Sequence, residues 1–151
     1  VAQGGVDGVA LSQDSTRLYW SPLSSRRLYS APTAVLADPK VPEATLEAAV
    51  KDEGEVGIMD GMATAPDGSL LLTDIERHAI VRRTPDGKLS LVAQDARLIA
   101  PDSIAQDGNS LLLTVGQWSR LPVFNSGQDK QERPYILVRI TLPEGASTQN
   151  K

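Results

Sequence analysis

The chain alternates short apolar runs with turn signals, and one such unit occurs three times. The copy that begins at Asp60 reads DGMATAPDGSLLLTD. It predicts a strand over residues 61–65, a Pro-Asp-Gly turn and a second strand over residues 69–73. The related copies DGVALSQDSTRLYW and DSIAQDGNSLLLTV begin at Asp7 and Asp102. Repeats of about 40 to 50 residues, each holding several short strands, are typical of β-propeller blades.

The same pattern predicts the remaining elements. Further strands are expected over residues 6–12, 16–20, 27–31, 79–84, 89–94, 111–115 and 135–142. A change of period from two to 3.6 predicts one short surface helix over residues 42–53. Residues 116–133 read as a long polar loop. We therefore expect an all-β partial propeller of about three four-stranded blades over residues 1–142, with one short helix insertion, followed by a flexible tail over residues 143–151.

Length and repeat number together predict an incomplete ring. The 151 residues are 40% hydrophobic, which is enough for one domain with a core. Three blades, however, are fewer than the roughly four to eight that close a propeller, and an open ring leaves an apolar blade face bare at each end. The sequence therefore predicts that the remaining blades of a longer chain, or a second copy, complete the ring.

Charge and cysteine content narrow the range of partners. A net charge of −4 and a pI near 4.9 argue against a nucleic-acid or anionic-membrane surface, which would require clustered Lys and Arg. The chain has no cysteine, so it has neither a disulfide framework nor thiol catalysis.

Three aspartates occupy equivalent places in the three repeats. The first strand of every propeller blade lines the central tunnel, so Asp7, Asp60 and Asp102 are expected to converge at one tunnel mouth. Carboxylate oxygens suit Ca²⁺ or Mg²⁺, and the sequence therefore predicts a metal or polar-ligand site there. Alternatively, each Asp caps its own turn by accepting hydrogen bonds from nearby backbone N–H groups.

Other polar and aromatic residues have two interpretations each. Trp118 follows the second strand of the third repeat, where it either covers a ligand by stacking or packs between blades. His78 lies close to acidic residues in the sequence and is either a general base or an exposed loop residue. The aspartates of the Asp-Gly turns are expected to be structural; they are Asp67, Asp86 and Asp107.

The runs MDGMATAPDGSLLLTDIERHAIVRR, APDSIAQDGNSLLLTVGQWSRLPVFNSGQD and PYILVRI resemble the Yellow and major royal jelly protein family, in particular its bacterial-type members. The resemblance covers residues 7–140. It implies a secreted or periplasmic six-bladed propeller that binds a small aromatic or amine-type ligand at one tunnel mouth. We expect a ligand at that mouth to contact Asp60, Asp102, Ser103 and Trp118.

The repeats are also more distantly similar to regucalcin and gluconolactonase, which are six-bladed propellers as well. Asp7, Asp60 and Asp102 look like the metal-ligating positions of that family. This similarity implies Ca²⁺ or another divalent metal that activates water for lactone hydrolysis. A small-molecule binder, a metal-dependent lactonase and a propeller scaffold thus remain three alternatives, and the sequence leaves open whether the protein is an enzyme.

Overall fold

The structure, a computed structural model, describes residues 5–142, which form three antiparallel sheets in chain order. The first sheet holds β1 (Val6–Leu11), β2 (Arg17–Pro22), β3 (Arg27–Pro32) and β4 (Lys51–Glu55). The second holds β5 (Met59–Thr64), β6 (Leu70–Asp74), β7 (Ala79–Arg83) and β8 (Leu89–Gln94). The third holds β9 (Pro101–Asp107), β10 (Ser110–Val115) and β11 (Leu137–Thr141). Within each sheet every strand pairs with the next, and β5 contacts both β1 and β9, so the sheets are consecutive blades of a partial propeller.

The helical segments lie between strands. They are α1 (Thr33–Ala37), α2 (Glu43–Ala49) and two single 3₁₀ turns, Trp118–Arg120 and Pro122–Phe124. The prediction of a helix over residues 42–53 is wrong at its C-terminal end, because β4 begins at Lys51 and pairs with β3. None of the helices among residues 5–142 is long and apolar enough to cross a membrane.

The end of α2 is decided by contacts that are distant in sequence. Glu53 in β4 accepts a hydrogen bond from Ser30 Oγ at 2.7 Å and one from Arg83 Nη2 of the second sheet at 3.1 Å. Its side chain is only 7% exposed. Burial of this paired carboxylate requires an extended chain at Glu53, and tertiary pairing therefore overrides the local helical pattern.

The third blade differs from the prediction in its strand number. Its described residues form three strands, where four were expected, and the predicted strand over residues 135–142 begins at Leu137. The predicted tail over residues 143–151 lies outside the described residues. The predicted hairpins around the Asp-Gly turns match the observed pairs β5–β6, β7–β8 and β9–β10, and the hairpin β1–β2 turns at Asp14-Ser15.

The hydrophobic core is divided between the two junctions of neighbouring sheets. One cluster joins the first and second sheets and includes Leu28, Met62, Leu70 and Leu72. The other joins the second and third sheets and includes Leu71, Ile80, Ile104, Leu111 and Leu113. Alternate leucines of β6 therefore enter opposite clusters, which explains why this strand is a continuous apolar run instead of an alternating one.

Among residues 5–142, one face of the first sheet lacks such a neighbour. In β1 the side chains of Val6, Val9 and Leu11 are between 47% and 60% exposed. The equivalent strand of the middle blade is largely buried. The exposed apolar strand fits the prediction of an incomplete ring.

Candidate functional site

A β-bulge at the start of each first strand places the three aspartates at corresponding positions. The register of β1 with β2 shifts between Val6 and Gly8, and that of β5 with β6 shifts between Met59 and Met62. The pairing of β9 with β10 shifts at the same place, between Pro101 and Ile104. A bulge leaves one residue unpaired and redirects its side chain. Asp7, Asp60 and Asp102 all lie within these bulges.

Glycine after the first two aspartates lets the sheets approach closely. A Cβ atom added at Gly8 would overlap the carbonyl oxygen of Asp60, and one added at Gly61 would overlap that of Asp102. Only glycine fits such backbone-to-backbone contacts. The repeated Asp-Gly pair thus brings successive bulges, and the aspartates in them, next to each other. The third repeat has Ser103 at this position.

A threonine hydroxyl fixes the bulge in the second and third blades. Thr73 Oγ1 accepts a hydrogen bond from Gly61 N at 2.7 Å and lies 3.2 Å from Gly61 O. In the third blade, Thr114 Oγ1 accepts one from Ser103 N at 3.1 Å. These hydroxyls satisfy backbone groups that the bulge removes from the ladder.

The aspartates line a shared groove of about 220 Å³ at one end of the first strands. Its other lining residues include Met62, Ser103 and Ile104. Asp60 is the most buried of the three carboxylates, whereas Asp102 is half-buried and Asp7 is exposed. Ser103 Oγ donates to Asp102 Oδ1 at 3.2 Å. The predicted convergence of the three residues is therefore present in the geometry.

Asp60 has an unusual electrostatic environment. Burial, and after it the negative charges of Asp102 and Asp7, raise its pKa from 3.8 to about 6. The indole N–H of Trp118 partly opposes this rise by donating to Asp60 Oδ2 at 3.2 Å. The groove therefore favours a proton or another positively charged partner on this carboxylate near neutral pH.

Trp118 reaches Asp60 from the segment that follows β10. Its ring packs edge-to-face against Phe124, with ring centroids 5.3 Å apart. The predicted polar loop thus contains two 3₁₀ turns, and it places the indole N–H of Trp118 against Asp60. The contact with Asp60 fits both interpretations of Trp118, as a residue that covers a ligand and as one that packs between blades, so its role stays a prediction.

The turn-capping alternative fits other aspartates better than these three. Asp67 Oδ1 accepts from Ser69 N at 3.1 Å, as expected for its turn. Asp74, which is 1% exposed, accepts from the backbone N–H groups of Glu76 and Arg77. Within residues 5–142, none of the three groove aspartates has a comparable bond from a backbone N–H among its hydrogen bonds. Their side chains face one another and Trp118 instead.

His78 does not join the groove. Its Nδ1 lies 2.9 Å from the carbonyl oxygen of Leu98, and its backbone is left-handed with φ 52°. Asp74, the acidic neighbour that suggested a general base, forms an ion pair with Arg77 at 2.5 Å. The His78 side chain therefore has a structural role, because it contacts the segment that joins the second and third sheets.

A metal ion in the groove would require several ligating side chains around one point. Within the described part of the chain, no group of three His, Cys, Asp or Glu side chains is placed so that it could hold a metal ion. The carboxylate chemistry is suitable for a hard cation, but the described residues supply only part of a ligand set. A metal site at Asp7, Asp60 and Asp102 thus stays a prediction.

Comparisons with known proteins agree with this architecture. The family model described as major royal jelly protein matches residues 1–141. A gluconolactonase from Xanthomonas campestris has a similar structure, with a TM-score of 0.66 and 19% identity over 95% of this chain and 45% of its own. A luciferin-regenerating enzyme has a TM-score of 0.57 and 16% identity over 92% of this chain and 45% of its own. The calcium-binding protein regucalcin from Agrobacterium tumefaciens has a TM-score of 0.52 and 20% identity over 72% of this chain and 37% of its own.

The chain spans less than half the length of these structural neighbours. At such identities the similarity establishes the propeller fold alone. None of the curated proteins compared with the chain matches it.

Proposed function

The chain belongs to the major royal jelly protein family, and from this premise we propose that it binds a small organic ligand of the aromatic or amine type at the groove. Asp60, Asp102, Ser103 and Trp118 would contact the ligand. The observation that carries the proposal is the Trp118–Asp60 contact, which combines an aromatic ring with a buried carboxylate at one mouth. Such a pair can stack on an aromatic ring and neutralise an ammonium group.

The charge distribution favours a cationic ligand over a neutral one. Three carboxylates share the groove, and burial together with the charges of Asp102 and Asp7 raises the pKa of Asp60. A bound ammonium would stabilise the ionised form of Asp60, and ligand binding would therefore release protons from that carboxyl group. Asp102 is more accessible to a ligand than Asp60, because it is only half-buried, and its Oδ1 accepts from Ser103 Oγ.

Calorimetric titration tests this proposal with phenethylamine, and with phenethyl alcohol as its uncharged counterpart. We expect the amine to bind more tightly than the alcohol, and Asp102→Asn and Trp118→Ala to weaken amine binding tenfold or more, which is about 1.4 kcal/mol. The matched control is Trp20→Phe, because Trp20 stacks on Tyr29 in the first sheet, at 6.1 Å between ring centroids, instead of on the groove.

Two outcomes would contradict the proposal. One is that neither phenethylamine nor phenethyl alcohol binds. The other is that the wild type, Asp102→Asn and Trp118→Ala bind the amine with equal affinity. Weaker binding in Trp20→Phe than in Trp118→Ala would place the ligand on the first sheet instead.

A metal-dependent lactonase is the second candidate, supported by the gluconolactonase among the structural neighbours and by the three carboxylates in equivalent bulges. Calcium titration by calorimetry, with lactone hydrolysis measured with and without Ca²⁺, distinguishes it from the binder. Stoichiometric binding that is lost in Asp60→Ala, together with calcium-dependent hydrolysis, would favour the lactonase. A protein that binds neither the amine nor calcium would favour a propeller scaffold.

A further inference from the structure

We infer that Gln117 is a positioning residue, whose side-chain amide holds the loop after β10 so that Trp118 stands against Asp60. The inference rests on the proposed function only in treating Trp118 as one wall of the ligand groove. Gln117 directly precedes Trp118 and is 5% exposed, although glutamine is usually a surface residue. A buried amide needs partners for its donors and its acceptor.

The partners of Gln117 lie on the far side of the loop. Its Nε2 donates to the carbonyl oxygen of Glu132 at 2.8 Å, and its Oε1 accepts from the backbone N–H of Glu132 at 2.9 Å. The side-chain amide thus pairs with both backbone groups of one residue, as a neighbouring strand would. Arg120 Nη1 also donates to Oε1 at 3.3 Å and forms an ion pair with Glu132 Oε1 at 2.9 Å.

The backbone of Gln117 is held equally firmly. Its N–H donates to the carbonyl oxygen of Ile99 at 3.2 Å, and its own carbonyl accepts from Arg120 N at 2.8 Å in the first 3₁₀ turn. The residue has the left-handed conformation, with φ 52° and ψ 20°. A non-glycine residue adopts this conformation at an energetic cost, and it persists where the surrounding contacts determine it. Here those contacts turn the chain so that the next side chain, Trp118, points at Asp60.

A single-tryptophan protein makes the position of Trp118 measurable without any ligand. The chain has two tryptophans, so Trp20→Phe leaves Trp118 as the only one. In that background we compare Gln117→Ala and Gln117→Gly by acrylamide quenching and emission wavelength, with circular dichroism to confirm the sheets. Both variants lose the amide, but glycine adopts the left-handed conformation freely. Gln106→Ala is the control, because its amide bonds only to exposed Gly108 O.

We expect the quenching constant to rise about twofold or more and the emission to shift to longer wavelength in both Gln117 variants, because a side chain that is no longer held samples solvent. The control should match the parent. Parent-like quenching in Gln117→Ala would overturn the inference. So would an effect in Gln117→Ala that is absent in Gln117→Gly, because the backbone conformation alone would then position Trp118.

An isosteric variant covers the case in which Gln117→Ala does not fold. Gln117→Glu keeps the acceptor Oε1 and replaces the donor to Glu132 O by a carboxylate oxygen that this carbonyl repels. A rise in quenching is therefore expected, and no rise would overturn the inference. Since none of these measurements includes a ligand, a failure of the proposed function leaves their result intact, and their failure leaves the amine titration to be judged separately.

Discussion

The ionisation of Asp60 depends on its burial in the fold. Burial and the charges of Asp102 and Asp7 raise its pKa from 3.8 to about 6. Between these two values the folded chain binds more protons than the unfolded chain, so the free energy of unfolding falls as the pH rises. The contribution is fully present below pH 3.8 and is lost as the pH passes about 6. Its size is roughly 2–3 kcal/mol.

Replacing Asp60 by Asn should therefore stabilise the protein at neutral and alkaline pH. Asn cannot ionise, and its carbonyl oxygen can still accept the bond from Trp118 Nε1. We expect the free energy of unfolding at pH 8 to rise by roughly 1–3 kcal/mol, and its decline through the window up to about pH 6 to become shallower. Urea unfolding at a series of pH values measures both quantities.

Asp38→Asn is the charge-matched control for that experiment. Asp38 is exposed and accepts from the backbone N–H of Lys40 at 2.9 Å, a bond that the amide oxygen of Asn can replace. This variant removes one negative charge far from the groove and should keep the wild-type pH dependence. A wild-type pH dependence in Asp60→Asn would instead show that Asp60 is not its source.

The sequence predicts which residues meet at the groove but not how they differ. Asp7, Asp60 and Asp102 follow from the repeat alone, because equivalent positions of successive blades converge. That Asp60 is the buried one depends on the middle blade having neighbours on both sides. Gln117 gave no signal, since its partner Glu132 lies 15 residues away in a loop without periodicity.

Among the elements, the hairpins were predictable and β4 was not. Asp-Gly turns between apolar runs specify the hairpins locally. The β4 sequence KDEGE contains no residue that favours strands. It is extended because it pairs with β3 and because Glu53 meets Arg83 of the next sheet, and such cross-blade pairing cannot be read from a local window.

The hydroxyl of Thr73 stabilises the bulge that carries Asp60. Thr73→Val preserves the shape and β-branching of the side chain but leaves Gly61 N without its 2.7 Å acceptor in a buried position. We expect unfolding to require about 1–3 kcal/mol less free energy. Urea unfolding at constant pH measures the loss, and the amine titration should weaken as the bulge relaxes.

Thr114→Val is the internal comparison for that prediction. Thr114 makes the equivalent bond to Ser103 N at 3.1 Å but is exposed, so water can replace its hydroxyl. A loss below about 1 kcal/mol is expected. Equal losses in the two valine variants would show that burial of the bulge is not what makes Thr73 important.

At the scale of the whole molecule, the middle sheet connects the other two. Leu70 and Leu72 of β6 pack towards the first sheet, whereas Leu71 packs towards the third. Each blade therefore obtains its core from a neighbour, as expected for a repeat architecture. The exposed apolar side chains of β1 are the same kind of surface without that neighbour. The repeat pattern predicted the blades, and the shared cores follow from their stacking.

A substitution at the backbone contact between Gly8 and Asp60 tests how far stability depends on the close stacking of the first and second sheets. Gly8→Ala places a methyl group on the Asp60 carbonyl oxygen, and backbone cannot move aside as a flexible side chain can. The first sheet must then shift as a unit, which breaks its core contacts and separates Asp7 from Asp60. We expect the free energy of unfolding measured with urea to fall by about 3 kcal/mol or more, together with weaker amine binding.

Gly5→Ala is the matched control, because nothing lies within 4 Å of its added Cβ, and its stability should stay within about 0.5 kcal/mol of the wild type. If Gly8→Ala behaves like this control, the sheets tolerate a wider spacing and the Asp-Gly pair is not what sets the distance between the carboxylates.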